Sequence, residues 1–333
     1  MQHPTHRRGV LGYGQALRDT LAFVDADAPR RFGLTPGRAH QMDRPAFDAL
    51  YARITPDLQI AGGSIANTLA GLRVLGVPVA LAAVFGDDAA GHQVARETQA
   101  AGIVPVLPQQ PGNTGEILVL VTPDGERTMA ATPDSSYDLR PEMLSDDLLT
   151  SHAVLLIEGY LLNDADCAAG ALTAMQRAHA LGTPTALTPG CASIALDYPE
   201  RVAALLETGP DVVFANADEA SAMTGETSPA AAAQALARRA GTAFVTLGAD
   251  GALTCTAGRL YAAKACTPAR LKDTTGAGDA FAAGALAALL RGESPARAAD
   301  LGGCCAAEVV ARAGPRMKPP RDRRTTAAVL ATS

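Results

Sequence analysis

Between residues 153 and 247, short apolar runs alternate with longer helical patterns. Strands are expected at 153–157, 184–187, 211–214 and 243–247, and helices at 165–181, 198–207, 217–224 and 229–240. Strands separated by a full helix do not pair through tight turns. Each connection crosses over, which makes the sheet parallel and doubly wound. The pattern begins earlier in the chain. Val10-Leu11-Gly12-Tyr13-Gly14 reads as a buried opening strand ending in a glycine turn. Val79–Phe85 is a continuous apolar run, as in central parallel strands, and Gly86-Asp87-Asp88 leads from it into a helix ending near Ala101. In such sheets ligands sit beyond the carboxyl ends of the strands.

Two stretches interrupt the alternation. Residues 25–60 carry Pro29, Pro36, Pro45 and Pro56 and do not look like a core βαβ unit. Residues 112–132 read as a hairpin, with Glu116–Thr122 and Arg127–Thr132 flanking an Asp124-Gly125 turn. Segments of about 20–60 and 112–133 are therefore expected to form a small added β lid on a domain spanning 9–316. A charged, proline-containing tail follows over 317–333, with fraying expected beyond Gly314. A closing helix is expected over 295–312.

The net charge of −6 argues against nucleic acid as the main partner. No apolar run free of charges and breakers is long enough to span a bilayer, and the polar start Met1–Arg8 lacks the apolar core of a signal peptide. The six cysteines show no metal-ligand spacing and are expected to be reduced thiols, which fits a cytoplasmic location.

Asp273-Thr274-Thr275-Gly276-Ala277-Gly278-Asp279 runs directly into Ala280-Phe281-Ala282-Ala283-Gly284-Ala285-Leu286, a buried helix by composition. Gly276 and Gly278 allow a ligand close to the backbone, and the helix start presents free N–H groups with a partial positive charge. That is an anion site, and phosphate is the usual anion. Asp279 at its mouth suits a base that takes a proton from a hydroxyl attacking phosphorus. Capping of the helix is the plain alternative. The string is neither a P-loop nor a dinucleotide fingerprint. A second glycine turn, Gly62-Gly63, opens a helix that carries Ser64 and Asn67 at i, i+3 spacing. Asp19, after the opening strand, is placed either to hold a vicinal diol or as a solvated turn residue.

Taken together, these motifs closely resemble the ribokinase/PfkB family of carbohydrate and nucleoside kinases over residues 9–316. The resemblance implies a three-layer α/β/α ribokinase-like fold with a mostly parallel sheet and a small β lid. It implies an ATP-dependent phosphotransferase acting on a primary hydroxyl, with Asp279 as general base and an anion hole at 276–279 formed by Gly276, Ala277, Gly278 and Asp279. Asp19, Gly62, Gly63, Ser64 and Asn67 are implied in acceptor binding. Arg127 and Tyr160 join them as in adenosine kinases. Asn216 and Glu219 match the family's Asn-x-x-Glu motif, with Glu219 serving Mg²⁺ through water. Asn216, Thr246, Gly248, Gly251 and Thr275 would line the ATP site. The small Ser64, the lid hairpin, Glu158-Gly159-Tyr160 and Asp273-Thr274-Thr275 are similar to the bacterial adenosine-kinase-like branch, so adenosine is the first expected acceptor. A free sugar (ribose, fructose or a keto-sugar acid) and a non-catalytic nucleoside- or nucleotide-binding role remain alternatives. A monovalent cation requirement, and monomer versus homodimer through the lid, stay open. No nucleic-acid or membrane partner is expected.

Overall fold

A computed structural model describes residues 7–318. Fourteen strands are found among the described residues: β1 (Val10–Tyr13), β2 (Leu17–Phe23), β3 (Ala39–Gln41), β4 (Leu58–Gly62), β5 (Val79–Ala82), β6 (Val104–Pro105), β7 (Gly115–Val121), β8 (Arg127–Thr132), β9 (Val154–Glu158), β10 (Thr185–Thr188), β11 (Val212–Asn216), β12 (Thr242–Thr246), β13 (Ala252–Thr256) and β14 (Arg259–Ala263). Nine of them form one sheet in the order β14-β13-β12-β11-β10-β9-β1-β5-β6, and five form a second in the order β3-β8-β7-β2-β4. The segment from β12 through β1 to β6 is parallel throughout, as the helical crossovers require. The hairpin β13–β14 adds an antiparallel edge that the sequence patterning did not anticipate.

Helices cover both faces of the large sheet, giving the three layers. On one face lie Ser64–Val74, Ala277–Leu290 and Pro295–Val310, packed with Val10, Leu81, Phe214 and Phe244. The opposite face carries Ala165–Ala180, Pro199–Glu207 and Pro229–Arg239 over Leu11, Tyr13, Ile157 and Val213. Every residue from Ala280 to Ala288 is buried. The small side chains there serve packing. Ala283 meets Gly71 on one neighbouring helix, and Gly284 meets the Leu301–Gly302 backbone on the other, so three helices approach closely. The apolar patterning of 280–290 thus reports a helix enclosed on all sides.

The second sheet has its own core. Ala22, Leu118, Leu120 and Ala130 pack beneath Phe47 and Leu50 of helix Arg44–Tyr51. The opposite face, carrying Asp19, is left toward the large domain.

Three expectations are corrected. Asp19 does not sit in a turn beyond the opening strand. It lies within β2, which begins at Leu17, earlier than the expected start of the lid near residue 20. The chain beyond Gly314 does not fray at once: Pro315 packs against Gly276, and Met317 is buried over Gly71. The rest of the tail, 319–333, lies outside the described residues, as do residues 1–6 of the polar start. Finally, the cysteines are not all free thiols. Cys266, after β14, is disulfide-bonded to Cys304 of helix Pro295–Val310, with Cα atoms 5.1 Å apart. Cys305 turns the other way, into the core. The pairing joins residues 38 apart in sequence, so no local spacing signals it.

Candidate active site

The carboxyl ends of the parallel strands, the N-terminus of helix Ala277–Leu290 and the Asp19 face of the small sheet converge on one cleft. Gly276 ends the preceding loop with φ +75°, and a Cβ there would overlap the Pro315 carbonyl, so glycine is required twice over. Asp279 occupies the first helical turn. Its Oδ1 accepts from Ser64 Oγ at 2.6 Å and its Oδ2 accepts from Asn67 Nδ2 at 3.2 Å. Burial raises the Asp279 carboxyl to about 6, while the Ser64 and Asn67 hydrogen bonds hold it down from rising further. Of the expected amide donors, Ala277 N–H is turned onto the Thr274 carbonyl at 3.2 Å. The N–H groups of Gly278 and Asp279 lie in the first turn, where a helix supplies no carbonyl partner.

Ser64 and Asn67 are brought there by helix Ser64–Val74, which starts after Gly63 at φ +101°. Gly62 pairs with Leu17 across β4 and β2, and a Cβ on Gly62 would overlap the Asp19 carboxylate. The glycine pair therefore makes room for Asp19. Asp19 Oδ1 is buried without a partner, and burial raises this carboxyl to about 7. The Arg316 charge opposes that rise, and Asp279 adds to it. An unpartnered buried carboxylate oxygen is costly unless a ligand's hydroxyl completes it.

Arg127, expected on the acceptor or the phosphoryl group, is bonded to Asp273 Oδ1 at 2.6 Å. The same Asp273 accepts from Thr275 N–H at 2.9 Å and from Gly314 N–H at 3.1 Å. Burial alone would raise the Asp273 carboxyl, but the bonds from Thr275, Gly314 and Arg127 outweigh it and hold the group at about 2. Thr275 Oγ1 is buried and unpartnered beside them. Tyr160, just past β9, lies flat against Gly190 and donates its hydroxyl hydrogen bond to the Gly190 carbonyl at 3.1 Å.

Asn216 and Glu219 form a reciprocal capping box. Asn216 Oδ1 accepts from Glu219 N–H at 2.9 Å, and Glu219 Oε2 accepts from Asn216 N–H at 2.8 Å. Each keeps one polar atom free of the box. Burial, and after it the nearby Asp279 charge, raise the Glu219 carboxyl. A carboxylate whose charge is disfavoured by a nearby carboxylate could be relieved by a cation, and Mg²⁺ needs few protein oxygens because it keeps several waters. Thr246 ends β12 directly beside Asn216 of β11, while Gly248 and Gly251 bracket the exposed turn that leads into β13.

Three residues received no site role from the sequence, although Glu158 stood within a motif named there. Glu158, at the end of β9, is 1% exposed. It accepts from Gln15 N–H on one oxygen and from Ile65 N–H, at 2.9 Å, on the other. Glu97 accepts from Ala61 N–H at 2.6 Å. Arg316 donates from Nε to Asn67 Oδ1 at 3.2 Å and from Nη2 to the Ala61 carbonyl at 2.6 Å. Glu158 carried a signal, a carboxylate at the carboxyl end of an apolar strand. Arg316 and Glu97 carried none.

A carboxylate over a helix N-terminus, near a second carboxylate that lacks a partner, is an arrangement suited to phosphoryl transfer. Residues 57–321 match the pfkB family carbohydrate kinase pattern, and the chain belongs to that family. It is 27% identical over 243 residues to the guanosine-inosine kinase of Escherichia coli (strain K12), a match covering 68% of this chain and 55% of that protein. The aligned region thus spans about half the length of that curated relative. Among solved structures, an adenosine kinase from Sinorhizobium meliloti superposes with a TM-score of 0.87 at 31% identity, covering 98% of this chain and 99% of the other. A probable sugar kinase from Rhizobium etli CFN 42 superposes with a TM-score of 0.88 at 28% identity and the same coverage. Both cover the lid as well as the core, in keeping with the ribokinase-like fold expected from the motifs. Among the described residues, no helix is long and apolar enough to cross a membrane.

Proposed function

We propose that the protein is an ATP-dependent kinase that phosphorylates the primary hydroxyl of a purine nucleoside, with adenosine, converted to AMP, as the first acceptor. The observation that carries the transfer chemistry is Asp279, whose carboxyl stands at about 6 beside the first-turn amides of its helix. A base with that value is ionised at neutral pH and can still accept a proton. Asp19 accepts hydrogen bonds from the ribose diol. Ser64 and Asn67 hold Asp279 toward the primary hydroxyl. When that hydroxyl attacks the γ-phosphorus, its proton passes to Asp279 and ADP leaves. The amides of Gly278 and Asp279 stabilise the charge that develops on the transferring group. Glu219 would hold Mg²⁺ through water, and the ion would neutralise the ATP phosphates. Thr246, Gly248 and Gly251 border the nucleotide, and Thr275 Oγ1 faces its phosphates.

The nucleoside preference is supported by the face of the small sheet that carries Asp19. In register with Asp19 and Leu21 stand Ile60 and Leu58 of β4, and Ile117 and Val119 of β7. A free sugar offers little to such an apolar platform, whereas a purine covers it. Small Ser64 leaves room beside it. The names of the guanosine-inosine kinase and adenosine kinase relatives point the same way. The experiment is an Mg²⁺-ATP assay with adenosine, guanosine, inosine, ribose, fructose and 2-keto-3-deoxygluconate. Turnover of adenosine with the free sugars inert is the expected result. Turnover of a sugar alone would keep the base and overturn the nucleoside assignment.

A further inference from the structure

Arg316 lies outside every motif described above, yet it reaches the centre of the cleft from the last described turn of the chain. Gly314 N–H is tied to Asp273, Pro315 caps Gly276, and Met317 is anchored between helices over Gly71. Between these fixed points the guanidinium is held in place and part-buried. It donates to two acceptors that belong to the acceptor-side machinery, Asn67 Oδ1 and the Ala61 carbonyl.

Chemistry fixes the consequence for Asn67. A guanidinium only donates and an ionised carboxylate only accepts. Asn67 bridges the two, so its amide oxygen must face Arg316 and its nitrogen must face Asp279. Without the guanidinium, the Asp279 carboxylate alone would select the amide orientation, and Asn67 Oδ1 would lose its donor. The Ala61 peptide is gripped likewise, its N–H by Glu97 and its carbonyl by Arg316, directly before Gly62-Gly63. Arg316 is also the positive charge that acts on Asp19. The titratable groups around this cluster are Asp19 on β2, Glu97 on helix Ala89–Ala100, and Asp279 on helix Ala277–Leu290, with Glu158 at the end of β9.

We propose that Arg316 is a positioning residue for phosphoryl transfer, fixing the Asn67 amide toward Asp279 and the Ala61 peptide ahead of the Gly62-Gly63 turn, with its positive charge on the acceptor side near Asp19. This rests on the kinase function proposed above. Arg316 does not touch the reacting atoms. It acts through Asn67 and Asp19, and its effect belongs to the acceptor rather than to ATP.

The test uses the full chain and two variants, Arg316→Met and Arg316→Lys. It follows steady-state kinetics with adenosine and ATP from pH 5 to 8, and adenosine binding by calorimetry over the same range. For Arg316→Met, adenosine affinity should fall by about 10- to 100-fold, the loss of one or two charge-assisted hydrogen bonds. KM for ATP should stay within about twofold. The acid limb of kcat/KM for adenosine should move to higher pH, because Asp19 has lost the charge that opposed its protonation. Arg316→Lys keeps the charge but not the fork, so the acid limb should return to its wild-type position while kcat stays reduced. Unchanged adenosine affinity and acid limb in Arg316→Met would overturn the proposal, as would parallel losses in ATP and adenosine KM. Should Arg316→Met fail to fold, Arg316→Lys decides: wild-type kcat, or a displaced acid limb, rules the role out. Failure of the kinase function itself looks different, because the wild-type protein would then neither bind nor phosphorylate a nucleoside, and the inference would fall with it.

Discussion

Arg127 of the lid hairpin and Asp273 of the anion loop are joined at 2.6 Å, although 146 residues separate them. The pair connects the small sheet to the loop proposed to receive phosphate. Arg127 is 35% exposed and Asp273 12%, so solvent screens the attraction in part. A double-mutant cycle with Arg127→Gln and Asp273→Asn should give a coupling of about 1 kcal/mol in thermal unfolding. Arg127→Gln should also lower kcat, because a lid held less firmly excludes water less well. Strictly additive effects, with kcat unchanged, would remove the latch.

The acid limb of kcat should fall near pH 6, where Asp279 takes up a proton. Asp279→Asn should reduce kcat by about 10²-fold or more while nucleoside binding is largely kept. Ser64→Ala removes a hydrogen bond that favours the ionised form, so its acid limb should move to higher pH. A pH profile in Ser64→Ala that overlays the wild type, or near-normal turnover in Asp279→Asn, would remove Asp279 as the base.

Asp19 makes a prediction about stability. Its folded-state value of about 7 lies above the unfolded reference. Its protonation therefore stabilises the fold fully below about pH 4, and that contribution is lost as pH rises through 7. Asp19→Asn removes the buried charge, so at pH 8 its Tm should exceed that of wild type by about 2–4 °C. Its stability should also change less between pH 5 and 8, while nucleoside binding is lost. A lower Tm at pH 8 would mean that Asp19 is satisfied in the free protein.

The disulfide can be counted directly. Thiol titration of the denatured protein should find four free cysteines without reductant and six with it. Cys304→Ser should cost up to about 4 kcal/mol, the loop-closure value for a ring of this size. Six thiols in the untreated protein would show that Cys266 and Cys304 are not bonded.

Much of this was legible because the chemistry is local. The motif 273–279 and the Gly62-Gly63-Ser64 turn each announce themselves within a few residues, and the strands of the parallel sheet are bounded by short turns. What escaped is non-local. Arg316 reads as one more charge in a polar tail, and only the folded chain sets it against Asn67, 249 residues away. Asp19 was misplaced, since a strand of seven residues with a mixed pattern looks like a turn exit when its partner β7 lies far along the chain. The hairpin β13–β14 was missed because the exposed β14 lacks an apolar face. The pairing of Cys266 was missed because adjacent Cys304 and Cys305 look unsuited to bridging, although the helix turns them in different directions.

The strap from Gly314 to Met317 also has a consequence for the order in which the molecule is made. The last strand of the large sheet among the described residues ends at Ala263, and Asp279 follows it. A growing chain therefore makes the whole sheet and the proposed base before it makes residue 316. On the role proposed for Arg316, the acceptor side is aligned only after both, so the parts of the cleft arise in sequence rather than together.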